Sequence, residues 1–252
     1  MTDSHRCVIT GLRGTLAPHF AAAFSACGYE IIGWNREFVP PEDKPRCNSW
    51  LEEIRPDAIC HLAQGSETWG AVLAAHAHRQ SIPFLFTSSA MVFHHDPDGP
   101  HRPDDARTAR DEYGLYKIRC EDLIRRENPR SIIVRIGWQI DSNARGNNMM
   151  AHLDRQQKES GCIGASRNWI PACSFMEDTA SACRQLMENA QAGIYHLDSN
   201  AGDRWSFDRI VGGLKKKYTR DEWVIVPNED YRHDQRLVGH EQLMPLISAR
   251  LI

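Results

Sequence analysis

Short apolar runs alternate with amphipathic runs along the first half of the chain. Cys7–Thr10 predicts a strand, and apolar positions from Leu16 to Cys27 recur at helical spacing until Gly28 stops them. Glu30–Trp34 predicts a second strand. A polar stretch with Pro40, Pro41 and Pro45 predicts a loop, after which Asn48 or Ser49 is placed to cap a short helix ending at Arg55. Asp57–Leu62 predicts a strand, Trp69–Arg79 a helix and Phe84–Thr87 a strand. A long polar loop, His94–Arg110, leads to a helix from about Glu112 to Arg126 and a strand over Ser131–Ile136.

Short buried strands separated by helices are what a parallel sheet covered on both faces looks like in sequence. The expected class is therefore α/β, a doubly wound parallel sheet. Past Trp138 the pattern turns irregular. Asn148–Glu159, Met176–Gln191 and Ser206–Tyr218 predict helices, and Gly193–Leu197 predicts a strand. These readings place a main domain over residues 1–140 and a smaller C-terminal α/β lobe over 141–252. The 193–197 strand is a candidate to rejoin the main sheet.

A length of 252 residues suits one domain with a small lobe. Lys and Arg number 30 against 33 Asp and Glu, a net charge of −3, so no basic face points to nucleic acid. No apolar run approaches the roughly 18 residues of a membrane helix, and Met1–Arg6 has no signal-peptide character. The eight cysteines form no CxxC pair, which reads as buried thiols in a reducing, cytoplasmic setting. Among twelve histidines, His76 and His78 do not share a helix face, and His94-His95-Asp96 has no second ligand pair, so no metal is expected. Cys120 reads as core, and Lys215-Lys216-Lys217 as a solvated helix end.

Candidate chemistry starts at Thr10-Gly11-Leu12-Arg13-Gly14-Thr15-Leu16-Ala17, a GxxGxxA turn between the first strand and the first helix. Gly11 permits a tight turn, Gly14 lets backbone approach a diphosphate, and small Ala17 allows close helix–strand packing. The helix N-terminus adds unpaired N–H groups and a positive dipole end. At the end of the second strand, where an acid would select NAD, the chain has Trp34-Asn35-Arg36. Neutral Asn35 and cationic Arg36, with Arg13 in the turn, favour a 2′-phosphate and hence NADP(H).

Tyr113 and Lys117 stand four apart on the predicted 112–126 helix and so share a face. An ammonium beside a phenol stabilises phenolate and brings its acid–base chemistry toward neutral pH. Tyr116 lies on a different face. Thr87-Ser88-Ser89-Ala90-Met91-Val92-Phe93 ends a buried strand, which is where open α/β sheets hold ligands. Arg167 and Trp169, beside Pro171, are candidates to pair a diphosphate and stack a base; a core role for Trp169 is the alternative.

In these pieces the chain resembles the extended short-chain dehydrogenase/reductase family. The matching segments are TGLRGTLA at 10–17, DAICHLA at 57–63, FTSSAMVF at 86–93, YGLYK at 113–117 and RIGWQI at 135–140. Asn147–Met150, Trp169-Ile170-Pro171, Glu177-Asp178-Thr179-Ala180, AGIYHLD at 192–198, RWSFDRI at 204–210 and DQRL at 234–237 look like the dTDP-4-dehydrorhamnose reductase branch. The resemblance implies a Rossmann-like fold with a small substrate lobe and reduction of a 4-keto nucleotide sugar or related carbonyl by NADPH. It implies that Ser89 holds the ketone, Tyr113 protonates it, and Lys117 binds the nicotinamide ribose and tunes Tyr113. It also implies cofactor contacts from Gly11, Leu12, Arg13, Gly14, Leu16, Asn35, Arg36, Leu62, Ala63, Gln64, Ile136 and Gly137. Substrate contacts are implied for Ser88, Ser89, Met91, Trp138, Asn148, Arg167, Trp169 and Arg236, with Arg232 making a similar claim. Strand-end capping is the alternative for Ser88.

The chain departs from the branch in three places, the first being the absent acid after the second strand, at Trp34-Asn35-Arg36. Ala90 replaces the usual acid after the catalytic hydroxyl, which is closer to an epimerase pattern. The connection after His61-Leu62-Ala63 is short, running from Gln64 to Thr68 directly into Trp69. An epimerase retaining NAD and a cofactor-binding regulatory subunit without turnover are the alternatives. A small-molecule substrate and a homodimer are the expected partners.

Overall fold

The computed structural model describes residues 5–143, 146–189 and 191–252. The first part of the chain runs β1 (Arg6–Thr10), α1 (Ala17–Ser25), β2 (Glu30–Gly33), α2 (Lys44–Ile54), β3 (Ala58–His61), α3 (Glu67–Gln80) and β4 (Phe84–Ser89). Then come α4 (Glu112–Glu127), β5 (Ile132–Ile136), β6 (Trp138–Ile140), α5 (Met149–Ser160), β7 (Ile163–Ser166), β8 (Trp169–Ile170) and β9 (Cys173–Phe175). The chain closes with α6 (Met176–Asn189), β10 (Gly193–Leu197), α7 (Phe207–Lys217), β11 (Ile225–Asn228), β12 (His233–Asp234) and α8 (Ile247–Leu251).

Two compact units share these elements. The first takes Met1–Ser88, Asp111–Val134 and Ala180–Tyr195; the second takes Ser89–Arg110, Arg135–Thr179 and His196–Ile252. The division is interleaved: the chain leaves the first unit after Ser88, Val134 and Tyr195 and returns to it at Asp111 and Ala180.

A six-stranded sheet in the order β10-β5-β4-β3-β1-β2 carries the first unit. The registered pairs β1–β2, β1–β3 and β3–β4 are parallel, with Cys7 opposite both Ile31 and Ala58. β10 lies at the sheet edge beside β5, so the 193–197 strand does rejoin the main sheet. β3 and β4 are buried at every residue, as strands covered on both faces must be. Their core includes Val8, Ile59, Trp69, Leu73, Phe84, Phe86 and Ile124.

α2 begins earlier than the sequence suggests. Its N-cap is Asp43, whose carboxylate accepts from the Arg46 amide at 3.1 Å, and Pro45 sits in the first turn. Asn48 is an interior helix residue that accepts from Arg79 Nη2 at 3.1 Å. The pairing of Asp with a proline two residues on is thus the start signal here, and the proline belongs to the helix rather than to the loop.

The second unit is built from pairs of very short parallel strands, β6–β9, β7–β11 and β8–β12. Its core gathers Ile140, Met149, Leu153, Ile163, Phe175, Ile210, Leu214 and Trp223. α7 buries Phe207, Ile210, Val211 and Leu214 on one face and ends in Lys215-Lys216-Lys217, where Lys215 Nζ donates to the Trp223 carbonyl at 2.5 Å. All eight cysteines are free thiols; Cys27 is exposed, while Cys120 is buried as expected. No helix among the described residues is long and apolar enough to cross a membrane.

Candidate active site

In the first unit the glycine turn is held from below by β3. Gly11 has φ +80°, and a Cβ there would lie 3.2 Å from Ala63 Cα and Cβ. Only glycine meets both conditions without strain. The Thr10 hydroxyl accepts from the amides of Leu62 at 3.0 Å and Ala63 at 3.1 Å. With its acceptor capacity used this way, its proton goes to His61 Nδ1, 2.9 Å away. Burial, with Lys117 and Arg36 nearby, drops His61 to a pKa of about 3, so the ring is neutral and acts as an acceptor. This knot ties the residue before the turn to the Leu62–Ala63 backbone.

α1 follows with Leu16 at its N-cap position, which supplies no side-chain acceptor, and Pro18 in the first turn. A helix start with no anionic or hydroxyl cap suits a bound diphosphate. Leu12 packs over Gly33, where a Cβ would come within 2.6 Å of Leu12 Cδ1. Arg13, Gly14, Asn35, Arg36 and Gln64 are exposed. Asn35 Oδ1 accepts from the Glu37 amide at 2.9 Å. Arg36 donates to the Gln64 carbonyl and lies 4.9 Å above the Trp69 ring. A left-handed glycine, an uncapped helix start and two arginines, with no acid over residues 34–36, fit a dinucleotide bearing a 2′-phosphate.

α4 carries the candidate acid–base pair. Its cap is Asp111, whose carboxylate accepts from the Gly114 amide at 2.9 Å. Tyr113 is 38% exposed, whereas Lys117 is buried at 3%. Lys117 Nζ donates to the Thr87 carbonyl at 2.8 Å and lies 5.8 Å from the ring centre of Tyr113. Burial pulls the Lys117 pKa down to about 8, against the pull of Cys120 and Glu121. Tyr116 serves the backbone instead. Its phenol accepts from the Gly65 amide at 3.2 Å, and burial pushes its pKa up to about 12. Its hydroxyl fastens the short connection after β3.

The two serines at the end of β4 part company. Ser88 donates to Glu121 Oε1 at 2.5 Å, both residues being buried. Ser88 is thus tied to α4, a partner other than the strand-end cap that its sequence position suggests. Glu121 stands on the Tyr113–Lys117 face, four residues further on, and that spacing could have found it. Ser89 Oγ accepts from the Met91 amide at 3.1 Å.

Of the substrate-side residues in the second unit, Trp138 stacks with Phe207 and Trp169, both at 5.9 Å between ring centres. Trp169 also meets Phe207 at 4.6 Å and Tyr231 at 5.4 Å, and its buried indole N–H has no partner among the described residues. Gly137 packs against Ala172, whose carbonyl oxygen would be 2.2 Å from an added Cβ, and Ile136 beside it is half-buried. Met91 is exposed, as is Arg167, which approaches Asp208 at 3.7 Å. Asn148 is buried and caps α5 by accepting from the Ala151 amide at 3.0 Å. Arg236 is also buried, with its guanidinium on both Asp234 oxygens at 2.9 and 2.7 Å and on the Ala201 carbonyl at 2.9 Å. Those bonds engage most of its donors in holding the fold. Arg232 is exposed.

A family model described as the RmlD substrate binding domain matches residues 64–212, more than half of the chain. The chain belongs to this family. A dTDP-4-dehydrorhamnose reductase of Aggregatibacter actinomycetemcomitans is 24% identical over 223 residues, covering 79% of this chain and 75% of that protein. The spore coat polysaccharide biosynthesis protein SpsK of Bacillus subtilis (strain 168) is 22% identical over 240 residues, covering 89% and 83%. Among solved structures, a dTDP-4-dehydrorhamnose reductase from Bacillus anthracis str. Ames, in complex with NADP, superposes with a TM-score of 0.82 at 18% identity, covering 98% of this chain and 97% of that one. The Rossmann-like α/β fold expected from the sequence agrees with this superposition, and the expected reductase class agrees with the family.

Proposed function

We propose that the chain is an NADPH-dependent reductase of a 4-keto nucleotide sugar or a related carbonyl. The observation that carries the proposal is the buried Lys117, bonded to β4 at the Thr87 carbonyl and 5.8 Å from the ring centres of both Tyr113 and Tyr116. Family membership and the resemblance to dTDP-4-dehydrorhamnose reductases support the substrate class.

In this reading Ser89 donates a hydrogen bond to the carbonyl oxygen and fixes its direction. Tyr113 gives its phenolic proton to that oxygen as negative charge builds there. Lys117 stabilises the phenolate left behind and holds the nicotinamide ribose. A bound nicotinamide supplies the hydride for the carbonyl carbon. Gly11, Leu12, Arg13, Gly14 and Leu16 hold the diphosphate, Asn35 and Arg36 the 2′-phosphate side, and Leu62, Ala63, Gln64, Ile136 and Gly137 the groove. Ser88, Met91, Trp138, Asn148, Arg167, Trp169 and Arg236 belong to the substrate side, with Ser88, Asn148 and Arg236 acting as supports through the bonds described above. A cytoplasmic homodimer is the setting of this reading.

The test is oxidation of NADPH by the purified chain with dTDP-4-keto-6-deoxyhexose, followed at 340 nm with the sugar product identified. Stoichiometric conversion of ketone to alcohol is expected. Interconversion of two sugars with no net NADPH consumption would replace the reductase by an epimerase. No conversion of any keto-sugar nucleotide, with cofactor bound, would leave a binding protein.

A further inference from the structure

Arg36 is the cation offered to the 2′-phosphate, yet an exposed arginine on a loop is flexible, and fixing it on a ligand costs conformational entropy. Here its guanidinium is already fixed. One end donates to the Gln64 carbonyl, and its carbon lies 4.9 Å above the Trp69 ring. That ring is itself immobile. Trp69 is fully buried, with Trp34 at 5.4 Å and His61 at 4.8 Å, both edge to face. It fills the space beneath Gly65, where a Cβ would lie 2.8 Å from Trp69 Cε3. Tyr116 holds the Gly65 amide from the other side at 3.2 Å. The short connection after β3 therefore serves as a rigid bed for Arg36.

From this we infer that Trp69 is the positioning residue that sets the choice of NADPH over NADH, acting through Arg36. The inference rests on the proposed reductase reading and specifies the cofactor preference of that same site. A flat guanidinium pinned on an aromatic face keeps its remaining N–H edge pointed outward for a doubly charged phosphate ester. A ribose hydroxyl gives that edge no charge to meet. Asn35 adds no repulsion, because its side chain is neutral and accepts from the amide of Glu37.

Equilibrium titration of NADPH and NADH into the full chain tests this without turnover. Wild type binds NADPH at least about tenfold more tightly than NADH. Trp69→Leu and Arg36→Lys each lower that ratio by about five- to tenfold, chiefly by weakening NADPH, and Trp69→Phe keeps most of it. In an Arg36→Gln background, Trp69→Leu changes the ratio no further, because the ring has lost the cation it positions. A Trp69→Leu variant that weakens both cofactors equally, leaves the ratio unchanged, or adds its full effect in the double variant overturns the inference. Should Trp69→Leu fail to fold, Trp69→Met keeps the bulk without the ring and carries the same outcomes. Wild type that binds neither cofactor overturns the reductase reading itself. Wild type that prefers NADH overturns this inference alone.

Discussion

The ammonium of Lys117 donates to the carbonyl oxygen of Thr87 across 2.8 Å. The bond spans from α4 to β4, the strand that ends in Ser88 and Ser89. It also leaves a cation in a buried position, with a pKa of about 8. Below that value Lys117 is charged and able to support a tyrosinate; above it the charge is lost. The kcat/KM profile for reduction is expected to fall through a limb near pH 8. Lys117→Arg is expected to remove that limb, because a guanidinium stays protonated. Lys117→Met is expected to fold and to lose about 10²-fold or more in kcat/KM. A pH profile unchanged by Lys117→Arg would detach Lys117 from the chemistry.

Glu121 and Ser88 make a second tie between the same two elements. Removing either partner strips a buried hydrogen bond, which costs about 1–3 kcal/mol. Glu121→Ala is expected to cost the larger share, and the Ser88→Ala, Glu121→Ala cycle is expected to show coupling of about 1–2 kcal/mol in urea denaturation. Additive effects would mean that the contact carries no such energy.

Acid should loosen the first unit at His61. Its folded pKa, about 3, lies below the ordinary value of 6.5. Between these values the unfolded chain binds a proton that the folded chain refuses, so this group's contribution to stability falls as pH drops from about 6.5 toward 3. His61→Asn removes the titration and leaves an amide oxygen to accept from Thr10. Urea midpoints at pH 7.5, 6.0 and 5.0 are expected to fall less steeply for the variant than for wild type. Equal slopes would show that His61 is protonated in the fold.

Gly11→Ala places a Cβ at φ +80°, 3.2 Å from Ala63. The backbone strain is about 1–2 kcal/mol, so the protein is expected to fold with a lowered Tm. Cofactor affinity is expected to fall by more than that strain accounts for, because the turn must shift away from the diphosphate. Differential scanning fluorimetry with and without NADPH measures both effects.

The sheet and its helices are legible in the sequence because their signals are local. β1, β3 and β4 each contain a short apolar run, Cys7–Ile9, Ala58–Cys60 and Phe84–Phe86, and α4 repeats its pattern over four turns. The start of α2 is obscured because Asp43-Lys44-Pro45 lies within a proline-rich stretch that reads equally as loop. The strand pairs of the second unit are illegible: two to four residues at Trp169–Ile170 or His233–Asp234 carry no periodicity, and each finds its partner tens of residues away. Candidate site residues divide in the same way. Gly11, Tyr113 and Lys117 announce themselves by spacing. The roles of Trp69, Tyr116 and the Thr10–His61 pair depend on contacts made only after β1, β3, α3 and α4 are assembled. Arg236 carries a charge suited to a diphosphate, but its neighbour Asp234 and the Ala201 carbonyl take up that guanidinium.

The most direct measurement compares wild type with Tyr113→Phe for NADPH oxidation by a 4-keto nucleotide sugar, with NADPH affinity titrated for both. The variant is expected to bind NADPH within about threefold of wild type, since the aromatic ring is kept, and to lose about 10²- to 10⁴-fold in turnover. Turnover by the variant equal to that of wild type would contradict it, and Tyr113 would no longer be the proton donor.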